Sequence, residues 1–243
     1  MKFSYPAIVR FSECGRDGLA SEAAIVNFFQ DCSAMQSDFL GIGTDRLLAA
    51  KRGWFVIAWN IQITKKPAVD KKVRVWTWAV SFTGIFGDRC MQITDEMTGE
   101  VYAECRALYV FMNLETMHPT KVEGKLGTGY STSPALASVK NCSRKLPPLT
   151  DGTSAGTFTV RRHDTDAYGH MNNARYVFYA DDYLPEDFKT FRLQVEYRLS
   201  AKLGDTVHVF TENTGTEFEV EMRREDGQVF ARVLYTKKGE END

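Results

Sequence analysis

Histidine is scarce in this 243-residue chain, with four copies, and none of the four stands at the spacing of a metal-ligand set. No bound metal is expected. Cysteine is also sparse and irregular. Cys14, Cys32, Cys90, Cys105 and Cys142 are odd in number, widely spaced and never in a Cys-x-x-Cys pair. That pattern argues against a disulfide framework or a zinc site and predicts a cytoplasmic protein with reduced thiols. Charge of one sign is absent too. Lys+Arg is 30 against Asp+Glu 32, a formal charge of -2, where a nucleic-acid binder is usually basic. No apolar run approaches the ~20 residues of a membrane helix, so no membrane span is expected. The N-terminus, with Pro6 and Arg10 soon after Met1, has no apolar core of a signal peptide.

What the sequence does have is a repeat. Val9 to Asp31 lies over Val160 to Asp182 without a gap, at a constant offset of 151 residues. Val9/Val160, Arg10/Arg161, Gly18/Gly169, Ala23/Ala174, Val26/Val177 and Asp31/Asp182 are identical, and Phe28/Tyr179 similar. Each copy reads as a short strand, a polar turn with glycine, and an apolar helix. The helices are expected from Ser21 to about Leu40 and from Asn172 to about Leu184. Ser21 and Asn172 are suitable N-caps, and Gly41 and Pro185 suitable stops.

Each helix is followed by strands and no further long helix. They are expected at Trp54–Thr64, Lys72–Phe82, Phe86–Asp95 and Val101–Asn113, then at Thr190–Arg198, Thr206–Asn213, Thr216–Arg224 and Gln228–Thr236. The fold class is therefore α+β, each half a buried helix wrapped by a curved antiparallel sheet, and two such units can pair as a pseudo-dimer. The domains are expected at 1–123 and 158–243. The Gly/Ser/Pro-rich connector 124–157 should be partly ordered against the body at that length.

Chemistry concentrates in His163-Asp164-Thr165-Asp166-Ala167-Tyr168-Gly169-His170-Met171-Asn172-Asn173. A helix start offers N–H groups for a developing oxyanion, and a nearby Asp and His can position and deprotonate water. By the repeat offset, Asp166 matches Gly15, His170 matches Leu19 and Asn172 matches Ser21, so the first copy keeps the architecture without these groups. Caps and turns explain single Asx residues here, Asn172 most easily; they do not explain the set. Other signatures fail. Gly129-Tyr130-Ser131-Thr132-Ser133 lacks the last glycine of a nucleophile elbow, and Gly41-Ile42-Gly43 follows a helix and ends in Arg46 where a dinucleotide loop needs glycine. Trp76 and Trp78 share one face of their strand.

The motif Asp164-x-Asp166-x-x-Gly169-His170-x-Asn172-Asn173-x-x-Tyr176 resembles the approach to the central helix in hotdog-fold thioesterases. Its occurrence in only the second of two copies is similar to the acyl-acyl carrier protein thioesterases. Val9-Arg10-Phe11-Ser12-Glu13, Phe28-Phe29-Gln30-Asp31-Cys32-Ser33 and Leu40-Gly41-Ile42-Gly43 resemble the bacterial branch's first half, and Glu196-Tyr197-Arg198 resembles a strand motif of the second. The resemblance implies a tandem hotdog, no metal or organic cofactor, and hydrolysis of the thioester between a fatty acyl chain and carrier-protein phosphopantetheine. It places the family's essential Asp on Asp166 and its His on His170 as the water-activating pair, with either as the base. Asn172 joins them, and N–H groups around Asn172 and Asn173 polarise the carbonyl.

The sequence departs from the plant pattern at Tyr168, where that branch has Asn, and near Ser200 and Ala201, where it has an acid or Cys. Met35, Phe39, Trp54 and Tyr168 are the expected acyl-pocket residues. Docking of an acidic carrier protein would use basic residues among Lys65, Lys66, Lys71, Lys72, Arg161, Arg162, Arg192 and Arg198. A monomer or a homodimer fits the repeat. The alternatives are an acyl-coenzyme A thioesterase, a hydratase of the same fold, whose Asn-Pro-Leu-His pattern is missing, and a non-catalytic acyl-binding protein.

Overall fold

The fold is that of a computed structural model, in which residues 2–238 are described. Residue 1 and residues 239–243, the ends of the two expected domains, lie outside the described residues. The chain divides into two compact units between Cys142 and Ser143, inside the expected connector.

In the first unit, β1 (Phe3–Ile8) precedes α1 (Glu22–Phe39) and the short α2 (Thr44–Ala49). Then come β2 (Arg52–Ile63), β3 (Lys72–Thr83), β4 (Phe86–Asp95), β5 (Val101–Asn113), the two-residue β6 (His118–Pro119) and α3 (Gly124–Thr128). The sheet is antiparallel in the order β1-β3-β4-β5-β2, with β6 on β5. Ser21 caps α1 by accepting from the Ala24 N–H at 3.1 Å. Gly41, at φ +66°, takes the left-handed conformation that closes the other end, where the Ile42 N–H reaches back to the Ser37 carbonyl at 2.9 Å. Ile25, Val26, Phe28, Phe29 and Cys32 are buried against the sheet, each large one contributing about 2 kcal/mol.

The second unit repeats the plan with β7 (Thr153–Thr159), α4 (Asn173–Asp181), β8 (Thr190–Tyr197), β9 (Thr206–Asn213), β10 (Glu217–Arg223) and β11 (Val229–Lys237). Its sheet runs β8-β11-β10-β9-β7, again antiparallel. Phe158 stacks on Tyr179 at 3.9 Å, and the Tyr235 hydroxyl donates to Asp181 Oδ1 at 2.6 Å, tying α4 to β7 and β11.

Three sequence expectations change. The strand that opens each copy lies upstream of the repeated segment, because Phe11–Glu13 and Arg162–Asp164 are single 3₁₀ turns. The second helix stops at Asp181 rather than about Leu184, since Leu184 precedes Pro185 and the helical conformation is disfavoured there. The helices α2 and α3 were not expected, being too short to show a period.

The connector is ordered on both units. In the first, the Trp78 indole donates to the Pro134 carbonyl (2.9 Å), Asn60 Nδ2 to the Lys140 carbonyl (2.8 Å), and the Leu136 N–H to Cys90 Sγ (3.4 Å). In the second, the Leu146 N–H donates to Glu196 Oε2 at 2.9 Å, and Arg232 Nη1 to the Leu146 carbonyl at 3.2 Å. Glu212 holds Thr150 and Asp151.

Candidate active site

The turn before α4 has the same backbone as the turn before α1, and the comparison separates scaffold from chemistry. Asp166 N–H donates to the His170 carbonyl (2.8 Å) and Gly169 N–H to the Asp166 carbonyl (3.0 Å). In the first copy Gly15 and Leu19, then Gly18 and Gly15, make the same bonds at 2.9 and 3.0 Å. Gly169 and Gly18 both need positive φ, +75° and +72°. The Met171 N–H donates to the Ala201 carbonyl as the Ala20 N–H does to that of Pro67.

Three motif residues belong to this shared scaffold. Asp164, 1% exposed, accepts from the Arg161 N–H at 2.8 Å and the Tyr179 hydroxyl at 3.1 Å. Glu13 does the first of these jobs for Arg10, at 2.7 Å. Gly169 matches Gly18. Asn172 caps α4, its Oδ1 accepting from the Ala174 N–H at 2.9 Å, as Ser21 caps α1.

Asp166 and His170 have no counterparts. Asp166 Oδ1 accepts from the N–H groups of Tyr168 (2.9 Å) and His170 (3.3 Å), and Oδ2 takes no part in these turn bonds. In the first copy the turn is held instead by Asp17, which accepts from the Leu19 N–H at 3.0 Å. A carboxylate at position 166 is therefore not what the turn requires. His170 is half-buried. Burial holds its imidazole below the ordinary value of 6.5, the Asp166 carboxylate pulls it back up, and Lys202 lowers it again. Its neutral form, the one able to take a proton, predominates at neutral pH.

Asn172, one of the expected oxyanion residues, makes its hydrogen bonds within the turn and the cap. Its backbone N–H donates to the Asp164 carbonyl at 2.8 Å, as Ser21 N–H does to Glu13, and its carboxamide oxygen is the cap. The N–H groups of Ala174 and Arg175 both serve Asn172. Asn173 is held from the other side by the Tyr197 hydroxyl, which donates to its carbonyl at 2.8 Å. The Tyr176 hydroxyl accepts from the Ala201 N–H at 2.9 Å, and the two rings meet edge to face at 5.5 Å.

These braces were missed in the sequence. The signal available was that Tyr197 alternates with Glu196 on β8. Glu196 faces the other way, onto the connector, and is structural. Ser200 and Ala201 offer no acid, and Ala201 acts through its backbone.

The expected pocket residues of the first unit, Met35, Phe39 and Trp54, have different neighbours. Met35 and Phe39 are 42% and 67% exposed on α1, Phe39 against Phe3 at 5.6 Å. Met35 lines an open groove of about 740 Å³ with Tyr5, Ile8 and Phe28. Trp54 instead packs on Phe82 and Phe111, its indole donating to the Leu126 carbonyl at 3.3 Å. Tyr168 is half-buried in the turn before α4. Among the basic residues, Lys65, Lys66, Lys71 and Arg198 pair with Glu100, Glu22, Asp95 and Glu196. Among the described residues no cluster of His, Cys, Asp and Glu has the makings of a metal site, and no helix is long and apolar enough to cross a membrane.

Two units in tandem, each a helix against an antiparallel sheet and only the second carrying the polar turn, define an α+β protein of the hotdog fold. Residues 1–130 match the acyl-ACP thioesterase N-terminal domain and residues 149–241 the acyl-ACP thioesterase C-terminal domain, so the chain belongs to the acyl-ACP thioesterase family. It is 27% identical over 226 residues to oleoyl-acyl carrier protein thioesterase 1 of Arabidopsis thaliana, covering 85% of this chain and 62% of the relative. The chain thus spans about three fifths of the length of its plant relatives. In fold it is similar to an acyl-ACP thioesterase from Bacteroides thetaiotaomicron, with TM-score 0.83, 21% identity and 98% of each chain covered. It is similarly close to the 12:0-ACP thioesterase from Umbellularia californica, with TM-score 0.84, 21% identity, and 98% of this chain and 97% of that one covered.

Proposed function

We propose that the chain hydrolyses fatty acyl thioesters carried on acyl carrier protein, releasing free fatty acid and the carrier's phosphopantetheine thiol. The observation that carries this reading is the pair Asp166 and His170, added to a turn that the first copy builds without them. Family membership supplies the substrate class.

In this mechanism neutral His170 takes a proton from water as the oxygen attacks the thioester carbonyl carbon. Asp166 stabilises the imidazolium that forms, consistent with the upward pull its charge exerts on His170. The positive N-terminal end of α4, which begins at Asn173, stabilises the oxyanion. Collapse breaks the C–S bond, and the imidazolium returns its proton to the departing thiolate. Water, a base and oxyanion donors are all that this chemistry asks for. An acidic carrier would be drawn to basic side chains of this chain, with Lys72 in the first unit and Arg161 and Arg162 in the second among the candidates. We place the reaction in the cytoplasm, a reading supported by five free cysteines, three of them buried.

The test is thiol release from paired carrier-protein and coenzyme A thioesters over a range of chain lengths. The expected result is preference for the carrier-protein substrates, and a loss of about a hundredfold in His170→Ala with the fold intact by circular dichroism. Preference for coenzyme A would keep the mechanism and replace the partner. Acyl binding with no turnover at any length would leave a non-catalytic binding protein.

A further inference from the structure

A cation lies inside the layer between α1 and the sheet of the first unit. Arg89, on β4, is 7% exposed. Its Nη1 donates to Gln36 Oε1 on α1 and to Thr77 Oγ1 on β3, the latter at 2.9 Å. The guanidinium carbon stands 4.9 Å from the Tyr130 ring centroid and 5.9 Å from that of Tyr109. Every one of these partners is neutral, and no carboxylate among the described residues lies within ion-pair distance. The other buried arginines contrast with it. Arg106 is paired with Asp88, and Arg232 with Glu196, Glu219 and Glu221.

Burying a charge without a counter-charge is costly, and the aromatic faces offset only part of that cost. Among the described residues the Nε–Nη2 edge of Arg89 has no protein acceptor, and this is the edge with which a guanidinium grips a carboxylate through two parallel bonds. The surrounding layer is polar as well. Tyr109 and Tyr130 hydroxyls meet Ser33 and Ser37 on α1 at 3.4 and 2.8 Å. These groups sit on the C-terminal half of α1, which α4, ending at Asp181, does not possess.

We propose that Arg89 is the recognition residue of a carboxylate-binding site in the first unit, the carboxylate seated on its Nε–Nη2 edge. Two sources share this chemistry: a free fatty acid, and the far end of an acyl chain that carries a second carboxylate. Only the second source rests on the reading of the chain as a thioester hydrolase.

The test is calorimetric titration of wild type, Arg89→Met and Arg89→Gln with octanoate and with octanol. Wild type should bind octanoate at least about tenfold more tightly than octanol. Both variants should lose that preference, and octanoate should raise the melting temperature of wild type only. The Met variant should melt no lower than wild type, because it removes an uncompensated buried charge; if it fails to fold, the Gln variant carries the comparison.

The sources separate by turnover. Faster hydrolysis of the octanedioic half-thioester than of the octanoyl thioester, lost in Arg89→Gln, assigns the chain end. Equal hydrolysis, with octanoate inhibiting wild type and not the variant, assigns the free acid. Equal binding of octanoate and octanol, or a preference that survives in both variants, overturns the proposal. Arg89-dependent octanoate binding in a chain that turns over no thioester would overturn the hydrolase reading and leave this one standing.

Discussion

Asp166 and His170 close a single ring: the Asp166 N–H donates to the His170 carbonyl at 2.8 Å, and the His170 N–H returns to Asp166 Oδ1 at 3.3 Å. The two groups assigned to the chemistry are thus held in mutual register by backbone bonds. The Asp166 carboxylate, fixed by two backbone N–H groups, does not have to be ordered when substrate binds, which lowers the cost of reaching a reactive geometry.

Asp166→Asn keeps an acceptor oxygen for both turn bonds and removes the charge. It should fold with an unchanged melting temperature and lose about a hundredfold in kcat/KM. The double variant Asp166→Gly/Tyr168→Asp rebuilds the Gly15/Asp17 turn of the first copy. It should also fold, and have no activity above background; a double variant retaining wild-type turnover would remove Asp166 from the mechanism.

The pH profile of kcat/KM should rise along an acid limb centred below the ordinary imidazole value of 6.5, because burial lowers His170. Lys202 lowers it further, so Lys202→Met should move that limb to higher pH without lowering the plateau. In stability the sign follows from the protons bound. The unfolded chain takes up a proton at this histidine before the folded chain does, so the folded state loses stability as pH falls below 6.5. His170→Ala should remove that part of the acid sensitivity.

Asn172→Ala removes the cap of α4 and should cost about 1 kcal/mol in chemical denaturation. Asn172→Ser copies the cap of α1 and should recover that stability. Both variants should retain most of the thioesterase activity when assayed well below their melting temperatures. A hundredfold loss in the Ser variant would return Asn172 to the chemistry.

Arg232 holds three buried glutamates and the Leu146 carbonyl, so Arg232→Met should destabilise the chain by about 3–5 kcal/mol, leaving carboxylates buried without a cation. Glu219 is pushed up to about 7 by burial, against the opposing pull of Arg232, with Glu221 and Glu212 adding to the rise. Between pH 4.5 and about 7 the unfolded chain releases this proton and the folded chain keeps it, which costs stability as pH rises. The stability advantage of Glu219→Gln over wild type should therefore grow across that window and level off above it.

Much of this was legible in the sequence because it is local and periodic. β4 and β5 begin and end where alternation and turn residues put them, at Phe86–Asp95 and Val101–Asn113, and the caps Ser21 and Asn172 stand where expected. Asp166 and His170 stood out because an internal copy shows what the turn needs without them. The partner of the Asn172 N–H was not legible, for the opposite reason: a carboxamide before a helix looks the same in sequence whether its N–H faces open space or the Asp164 carbonyl. The exposure of single apolar residues was not legible either. Met35 and Phe39 lie on a helix apolar around most of its surface, where periodicity does not say which apolar residue faces out.

By itself the sequence determined the repeated helix-and-sheet plan and the family, since each depends on residue type at short spacing. Tertiary structure alone decided how distant groups are partnered. Glu196 became a connector clamp through Leu146, fifty positions away, Tyr197 a brace for Asn173, and Arg89 a buried cation whose partners are all neutral. Burial and counter-charge depend on which distant segments cover a side chain, and no local pattern encodes that covering.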